Sequence, residues 1–227
     1  MLENLMRFLS TTSWTFELVL SDDGSTDKTL EIIEKWQDVM PLMVVRSKLN
    51  RGKGHAIRLG MLVAQGKIRV MCDADGSMPA EELPKLVEPL RNGTSHIVIG
   101  SRYLHGGRAK GQPGWRRAWG RFTRSFVKRK VVPCIEDTQC GYKAFSAPLA
   151  HEIFSRATIN GWAFDLEVLA LAQHLGQNIH EVSVDWTNND RSRMRAMRGL
   201  FQVVSDTFII KANFRRQLYG PKVTLYS

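Results

Sequence analysis

Three times in the first hundred residues, a short apolar or β-branched run gives way to a polar turn and then to a stretch with helical spacing. Residues 14–20 (WTFELVL) read as a strand, SDDGSTD follows, and across 28–39 Leu30, Ile33 and Trp36 recur at three-residue steps. The unit repeats with a strand at 42–45 and a glycine-rich, basic helix start (NRGKGHAIRLG) over 52–64. It repeats again with a strand at 68–71, the turn CDADGS, and a helix at 79–91 that opens on Glu81 and Glu82, where the helix dipole favours acids. A fourth strand is predicted at 96–100. Such a succession specifies an α/β fold with a mostly parallel sheet flanked by helices. Residues 1–9 have helical spacing, 137–146 read as a loop entering a short strand, 163–175 as a helix, 179–186 as a strand and 200–214 as amphipathic. No repeat or linker divides the chain, so one domain over 1–190 with a basic tail at 191–227 is expected.

Ligands of parallel α/β sheets bind beyond the carboxyl ends of the strands, and both acidic turns, Asp22-Asp23 and Asp73-Ala74-Asp75, fall there. An extended backbone would send Asp73 and Asp75 to one side, because side chains alternate with period two. Two hard carboxylates on one face suit Mg²⁺ or Mn²⁺ shared with substrate phosphates. Asp23 could accept the N–H groups of a nucleobase, while Ser25 or Thr26 could simply cap the next helix. At the glycine-rich start, the backbone N–H groups near Gly52, helped by Arg51 and Lys53, make an anion site without a Walker motif.

The formal charge is +10, but it is not spread evenly. Residues 102–130 hold ten Lys/Arg and no acid, and 191–216 hold seven with one acid, Asp206; elsewhere 15 basic residues face 21 acidic ones. An acidic body with two basic patches results. In the first patch Trp115, Trp119, Phe122 and Phe126 are spaced at three and four among Arg116, Arg117, Arg121 and Arg124, the pattern either of a helix packed on the core or of one lying at a membrane surface. Three cysteines without a CxxC pair indicate neither a disulfide framework nor a zinc site, and a reducing, cytosolic setting is expected. No apolar run reaches the roughly 18 residues of a membrane span. No nucleic-acid-binding motif is recognisable, and the acidic cleft argues against that partner.

The segments VLSDDGSTDKT, NRGKGHAIRLGM, VMCDADGSMP, IVIGSRY, DTQCGYKAF and GWAFDLEVL, in this order, resemble the polyprenyl-phosphate branch of the GT-A, family 2 glycosyltransferases over roughly residues 16–187. That branch includes dolichyl-phosphate β-glucosyltransferases and mannose synthases. The resemblance implies a nucleotide-sugar donor, a divalent cation (Mg²⁺ or Mn²⁺) and a polyprenyl phosphate acceptor met by a peripheral protein at the cytosolic membrane face. It places a nucleotide-sugar half at 1–100 and an acceptor half at 101–190. By the same resemblance Asp22, Asp23, Arg51, Gly52, Lys53, Asp73 and Ala74 bind donor, and Asp73 and Asp75 hold metal. Arg102, Arg116 and Arg117 meet acceptor phosphate, with Arg193 in a tail segment that folds over phosphates. Asp137 and Gln139, with Asp75, line the reaction centre. Family members begin with a strand bearing a Pro-x-x-Asn-Glu-like motif, and this chain starts one helix later. The expected activity is therefore inverting hexose transfer, glucose favoured over mannose, with binding of nucleotide or lipid phosphate without catalysis as the alternative.

Overall fold

The computed structural model describes residues 1–104, 109–110, 131–187 and 196–221. In chain order the elements are α1 (Leu2–Leu9), β1 (Leu18–Asp22), α2 (Thr29–Gln37), β2 (Leu42–Arg46), α3 (Lys53–Val63) and β3 (Ile68–Met71). A 3-10 turn (Ala80–Glu82) leads into α4 (Leu83–Arg91), then β4 (Ile97–Ser101), β5 (Ala109–Lys110) and β6 (Lys143–Ser146). The chain continues through α5 (Ala147–Arg156), α6 (Phe164–His174), β7 (His180–Ser183), β8 (Trp186–Thr187) and α7 (Ala196–Arg215).

β1 and β2 pair in parallel, as do β4 with β7 and β5 with β8. Between β3 and β4 lies β6, antiparallel to both, giving the order β3-β6-β4-β7. The parallel pattern is thus interrupted by one strand.

Strand alternation explains why helices cover both faces of this sheet. In β4, Ile97 and Ile99 enter one apolar cluster with Phe145 of β6, Leu149, Ile153 and Phe154 of α5, and Leu166 and Leu169 of α6. Val98 and Ala144 point the other way, to Leu5 and Leu9 of α1 and Leu83 and Leu86 of α4. A strand buried on both faces reads as a continuous apolar run, as IVIG does.

Two elements differ from the sequence expectation for identifiable reasons. The first strand begins at Leu18, whose N–H donates to the Pro41 carbonyl at 3.1 Å; Trp14 and Phe16 instead pack beside α1, with the Trp14 ring edge-on to Phe8. Helix α5 is an element beyond those expected above; Pro148 in its first turn and the buried Leu149, Ala150, Ile153 and Phe154 carry its helical spacing.

The C-terminal segment packs onto the domain rather than trailing from it. Ile210 and Tyr219 are buried in the α5/α6 cluster, and the Phe214 ring packs tilted against His174 and edge-on against Tyr219. The Tyr219 hydroxyl donates to Glu167 Oε1 at 2.7 Å, Asn213 bridges Tyr219 to Thr158, and Arg156 donates to the carbonyls of Tyr219 and Pro221. A hydrogen bond to a buried carboxylate is among the stronger kinds. Tyr219→Phe is therefore expected to lower the unfolding free energy by about 1–2 kcal/mol, read in urea at unchanged m.

Candidate active site

The site is assembled by a close approach of two backbones. At Gly52, whose φ is +112°, a Cβ would stand 2.5 Å from the Asn160 carbonyl oxygen; at Gly54 it would stand 2.5 Å from that of Ile159 and 2.6 Å from Phe164 Cβ. Only glycine lets the first turn of α3 meet the 159–161 loop this closely. The His55 N–H then donates to the Asn160 carbonyl, and Arg58 ties down the Ala157 carbonyl and the Asn160 side chain. From beneath, the fully buried Glu167 carboxylate accepts the N–H groups of Thr158 and Ile159 and the Thr158 hydroxyl.

The first acidic turn holds this junction from the other side. Asp23 accepts the N–H groups of Arg51 at 3.1 Å and Gly52 at 2.6 Å, with His55 Nδ1 at 3.7 Å. Asp22, buried, accepts the Ser25 N–H and lies 3.4 Å from Arg46 Nε. Helix α2 takes its first-turn hydrogen bonds from Asp27, which accepts the Thr29 N–H and hydroxyl, so the cap is neither Ser25 nor Thr26.

Asp73 and Asp75 follow β3, but the segment turns at Ala74 rather than continuing extended. Asp75 is exposed and accepts the Ser77 N–H at 2.8 Å. Asp73 Oδ1 meets Lys53 Nζ at 2.6 Å, while Oδ2 faces Gly141, where a Cβ would come within 2.5 Å. Lys53 also lies 5.1 Å from the centre of the Trp162 ring and 5.7 Å from that of Phe164. Burial by itself would lower the Lys53 pKa, but the carboxylates of Asp165 and Asp73 raise it above the ordinary lysine value. Among the described residues no cluster of three or more acidic, His or Cys side chains could hold a metal. The donor set of Asp73 and Asp75 does fit Mg²⁺ or Mn²⁺ in the form such ions take with phosphate substrates, in which one or two carboxylates are completed by diphosphate and water. Glycine at 141 keeps a side chain off Asp73 Oδ2, from which a Cβ there would stand only 2.5 Å.

A second charged pair stands at the end of β4. Asp137, 2% exposed, accepts Arg102 Nε at 2.7 Å, Nη2 at 2.9 Å and the Arg102 backbone N–H at 3.0 Å. The N–H groups of Glu136 and Asp137 in turn donate to Glu181. The guanidinium lies 5.5 Å from the ring centres of both Tyr103 and Trp186. Burial pushes the Asp137 pKa up, but the Arg102 charge and hydrogen bonds outweigh it and hold the carboxyl below its ordinary range. A carboxylate so engaged is a weak base and a firm anchor.

Gln139 is exposed beside this pair, as are Arg51 and Ala74 near the first. Arg116, Arg117 and Arg193, with the aromatic face from Trp115 to Phe126, lie outside the described residues. Sequence reasoning missed the ion pair of Lys143 with Asp165 (2.5 Å), in which both residues are buried and Lys143 also donates to the Cys140 carbonyl. It also missed Gly141, Trp162 and Glu167. Lys143 and Asp165 stand inside the motifs DTQCGYKAF and GWAFDLEVL, where a charge among apolar neighbours is the available signal.

The family model "Glycosyl transferase family 2" matches residues 1–148. The chain belongs to glycosyltransferase family 2. It is 32% identical over 228 residues to a dolichyl-phosphate β-glucosyltransferase of Dictyostelium discoideum, covering 95% of this chain and 69% of the relative. It is 31% identical over 211 residues to the Homo sapiens dolichyl-phosphate β-glucosyltransferase, covering 89% and 65%. A 34% identical relative from Trichomonas vaginalis, also a dolichyl-phosphate β-glucosyltransferase, is matched over 86% of this chain and 61% of its own length, so the chain spans about two thirds of these relatives. Among solved structures, glucosyl-3-phosphoglycerate synthase from Mycobacterium tuberculosis, crystallised with Mn²⁺, UDP-glucose and phosphoglyceric acid, superposes with a TM-score of 0.63 at 20% identity, over 86% of this chain and 69% of that one. The likeness establishes the GT-A fold.

Because Asp137 is held ionised by Arg102, it contributes stability above the pKa of an unfolded aspartate and loses it as pH falls through the depressed folded value. Asp137→Asn strands a buried guanidinium and is expected to cost about 3–5 kcal/mol at neutral pH. The stability gap between wild type and variant should narrow below about pH 5, as measured by denaturant melts across pH.

Proposed function

We propose that this family 2 member transfers a hexose, glucose in preference to mannose, from a nucleotide sugar to a polyprenyl phosphate of the dolichyl type. The observation that carries this reading is the cluster at the strand ends: the Lys53 ammonium and Asp73 at 2.6 Å, with Asp75 on the following turn. A lysine ammonium beside two hard carboxylates is what a nucleoside diphosphate and its divalent ion require. The β-glucosyltransferase names of the relatives support glucose and a dolichyl phosphate acceptor, and the UDP-glucose complex of the fold neighbour supports the donor class.

The acceptor chemistry suits the second pair. A phosphate monoester has its second pKa near about 6 and arrives at neutral pH already mostly deprotonated, so a strong general base is not needed. The need is to bring a dianion toward a diphosphate, which a fixed guanidinium serves. Asp137 orients Arg102 for this task, and Gln139 stands at the exposed rim. Bound at Asp73 and Asp75, a divalent ion would supply Lewis-acid stabilisation of the leaving diphosphate. Direct displacement inverts the anomeric centre, giving a β-linked product from an α-linked donor.

Among the described residues no helix is long and apolar enough to cross a membrane. Near the C-terminus, however, Phe208, Ile209 and Leu218 are exposed beside the exposed Arg215 and Arg216. That combination supports peripheral docking to an anionic surface at the cytosolic face, where a polyprenyl chain is embedded.

Incubation with liposomes carrying polyprenyl phosphate, labelled UDP-glucose or GDP-mannose, and Mn²⁺ is expected to yield lipid-linked glucose. Asp73→Asn should reduce the rate by roughly a hundredfold or more. Binding of UDP without transfer from either donor, with or without metal, would leave the non-catalytic alternative instead.

A further inference from the structure

One oxygen of Asp73 is already paired and the other lies close against backbone. Oδ1 carries the Lys53 ammonium at 2.6 Å, and Oδ2 faces the Gly141 backbone, close enough that a Cβ there would come within 2.5 Å. Lys53 is itself well seated. It is the first residue of α3, whose start is fixed against the 159–161 loop by Gly52 and Gly54, and its ammonium has the Trp162 and Phe164 rings on another side. Aromatic faces and a carboxylate together make a stable berth for a lysine. A divalent ion arriving at this turn by itself must therefore compete with a tethered cation for Asp73, with Asp75 the one other carboxylate of the CDADGS turn, and Asp75 accepts the Ser77 N–H.

We propose that Lys53 is the resident counter-ion of Asp73 in the donor-free protein, so that a divalent cation gains Asp73 only when a diphosphate draws the ammonium away. Nucleotide and metal then enter together, and metal alone binds weakly. The inference rests on the donor site assigned above and adds an order of binding to it. Lys53 does two jobs in sequence: it neutralises a carboxylate that would otherwise face its acidic neighbours Asp75 and Asp165 unpaired, and it becomes a ligand for the donor's phosphates. The exchange adds little net charge to the site, because the divalent ion that takes Asp73 enters with the negative charges of the diphosphate to which the ammonium moves. It also keeps the site from filling with free metal that would have no leaving group to stabilise.

The test is Mn²⁺ binding by the full chain, read from the electron paramagnetic resonance signal of free Mn²⁺, with and without UDP and corrected for Mn²⁺ bound by UDP in solution. Wild type is expected to bind Mn²⁺ weakly alone and more tightly with UDP. Lys53→Met and Lys53→Gln, each checked by thermal melt, are expected to bind Mn²⁺ alone about two- to fivefold more tightly, the strength of one partly exposed ion pair removed from competition. The further gain from adding UDP should then be smaller than in wild type. If Asp73→Asn abolishes the UDP-dependent binding while neither Lys53 variant binds Mn²⁺ alone more tightly than wild type, the counter-ion role is wrong and the donor site stands. If Asp73→Asn leaves Mn²⁺ binding with UDP unchanged, the metal does not use Asp73, and the donor site falls together with the counter-ion role.

Discussion

The contact between the first turn of α3 and the 159–161 loop is the constraint on which the proposed donor site depends. Two carbonyl oxygens stand where the Cβ atoms of any larger residues at 52 and 54 would have to go. That approach brings together segments more than a hundred residues apart in sequence and sets where Lys53 begins, hence where its ammonium can reach. Asp23 clamps the junction from the β1 side and Glu167 from the α6 side. Asp23, which reads from the sequence as a ligand, thus serves here as an acceptor for the N–H groups of Arg51 and Gly52. A carboxylate that shapes a pocket and one that binds within it are not exclusive roles, and Asp23 lies where both can be filled.

Charge is placed with the same economy. Two buried or nearly buried ion pairs, Lys143 with Asp165 and Arg102 with Asp137, stand behind the open cluster of Lys53, Asp73 and Asp75. Buried pairs contribute little net stability, because desolvation offsets most of the attraction, but removing one partner is costly. Their value here is positional. Each presents a fixed field to the cleft, and Arg102 is held at three N–H groups so that its charge stays put when an anion approaches. Preorganised charge of that kind is where polar catalysis draws most of its rate.

Much of this was legible from residue order. The strand at Ile68–Met71 fell where its apolar run placed it, and Asp73 and Asp75 were found at its carboxyl end. The family itself could be read from six motifs, and the matching family model agrees. The partners of those residues were not legible. Nothing local in the sequence says that Asp137 would be taken up by Arg102, 35 residues earlier, or Asp73 by Lys53, because such pairings are made by topology. Lys143 escaped notice because a lysine next to tyrosine and alanine reads as a strand's solvent side, yet β6 is an interior strand covered on both faces and only Asp165 makes its burial tolerable. The turn at Ala74 defeated the simple alternation argument, since period two holds only while the backbone stays extended.

If the glycine-mediated approach of α3 builds the donor site, the most direct measurement is calorimetric titration of UDP with Mn²⁺ into wild type and Gly54→Ala. Residue 54 offers no side chain to a ligand, so the added methyl can act only by moving the first turn of α3 off the Ile159 carbonyl and Phe164. A folded Gly54→Ala protein that binds UDP roughly tenfold to a hundredfold more weakly than wild type is the expected result, since small misplacements of binding groups have effects of that size. A folded variant with wild-type affinity would contradict it.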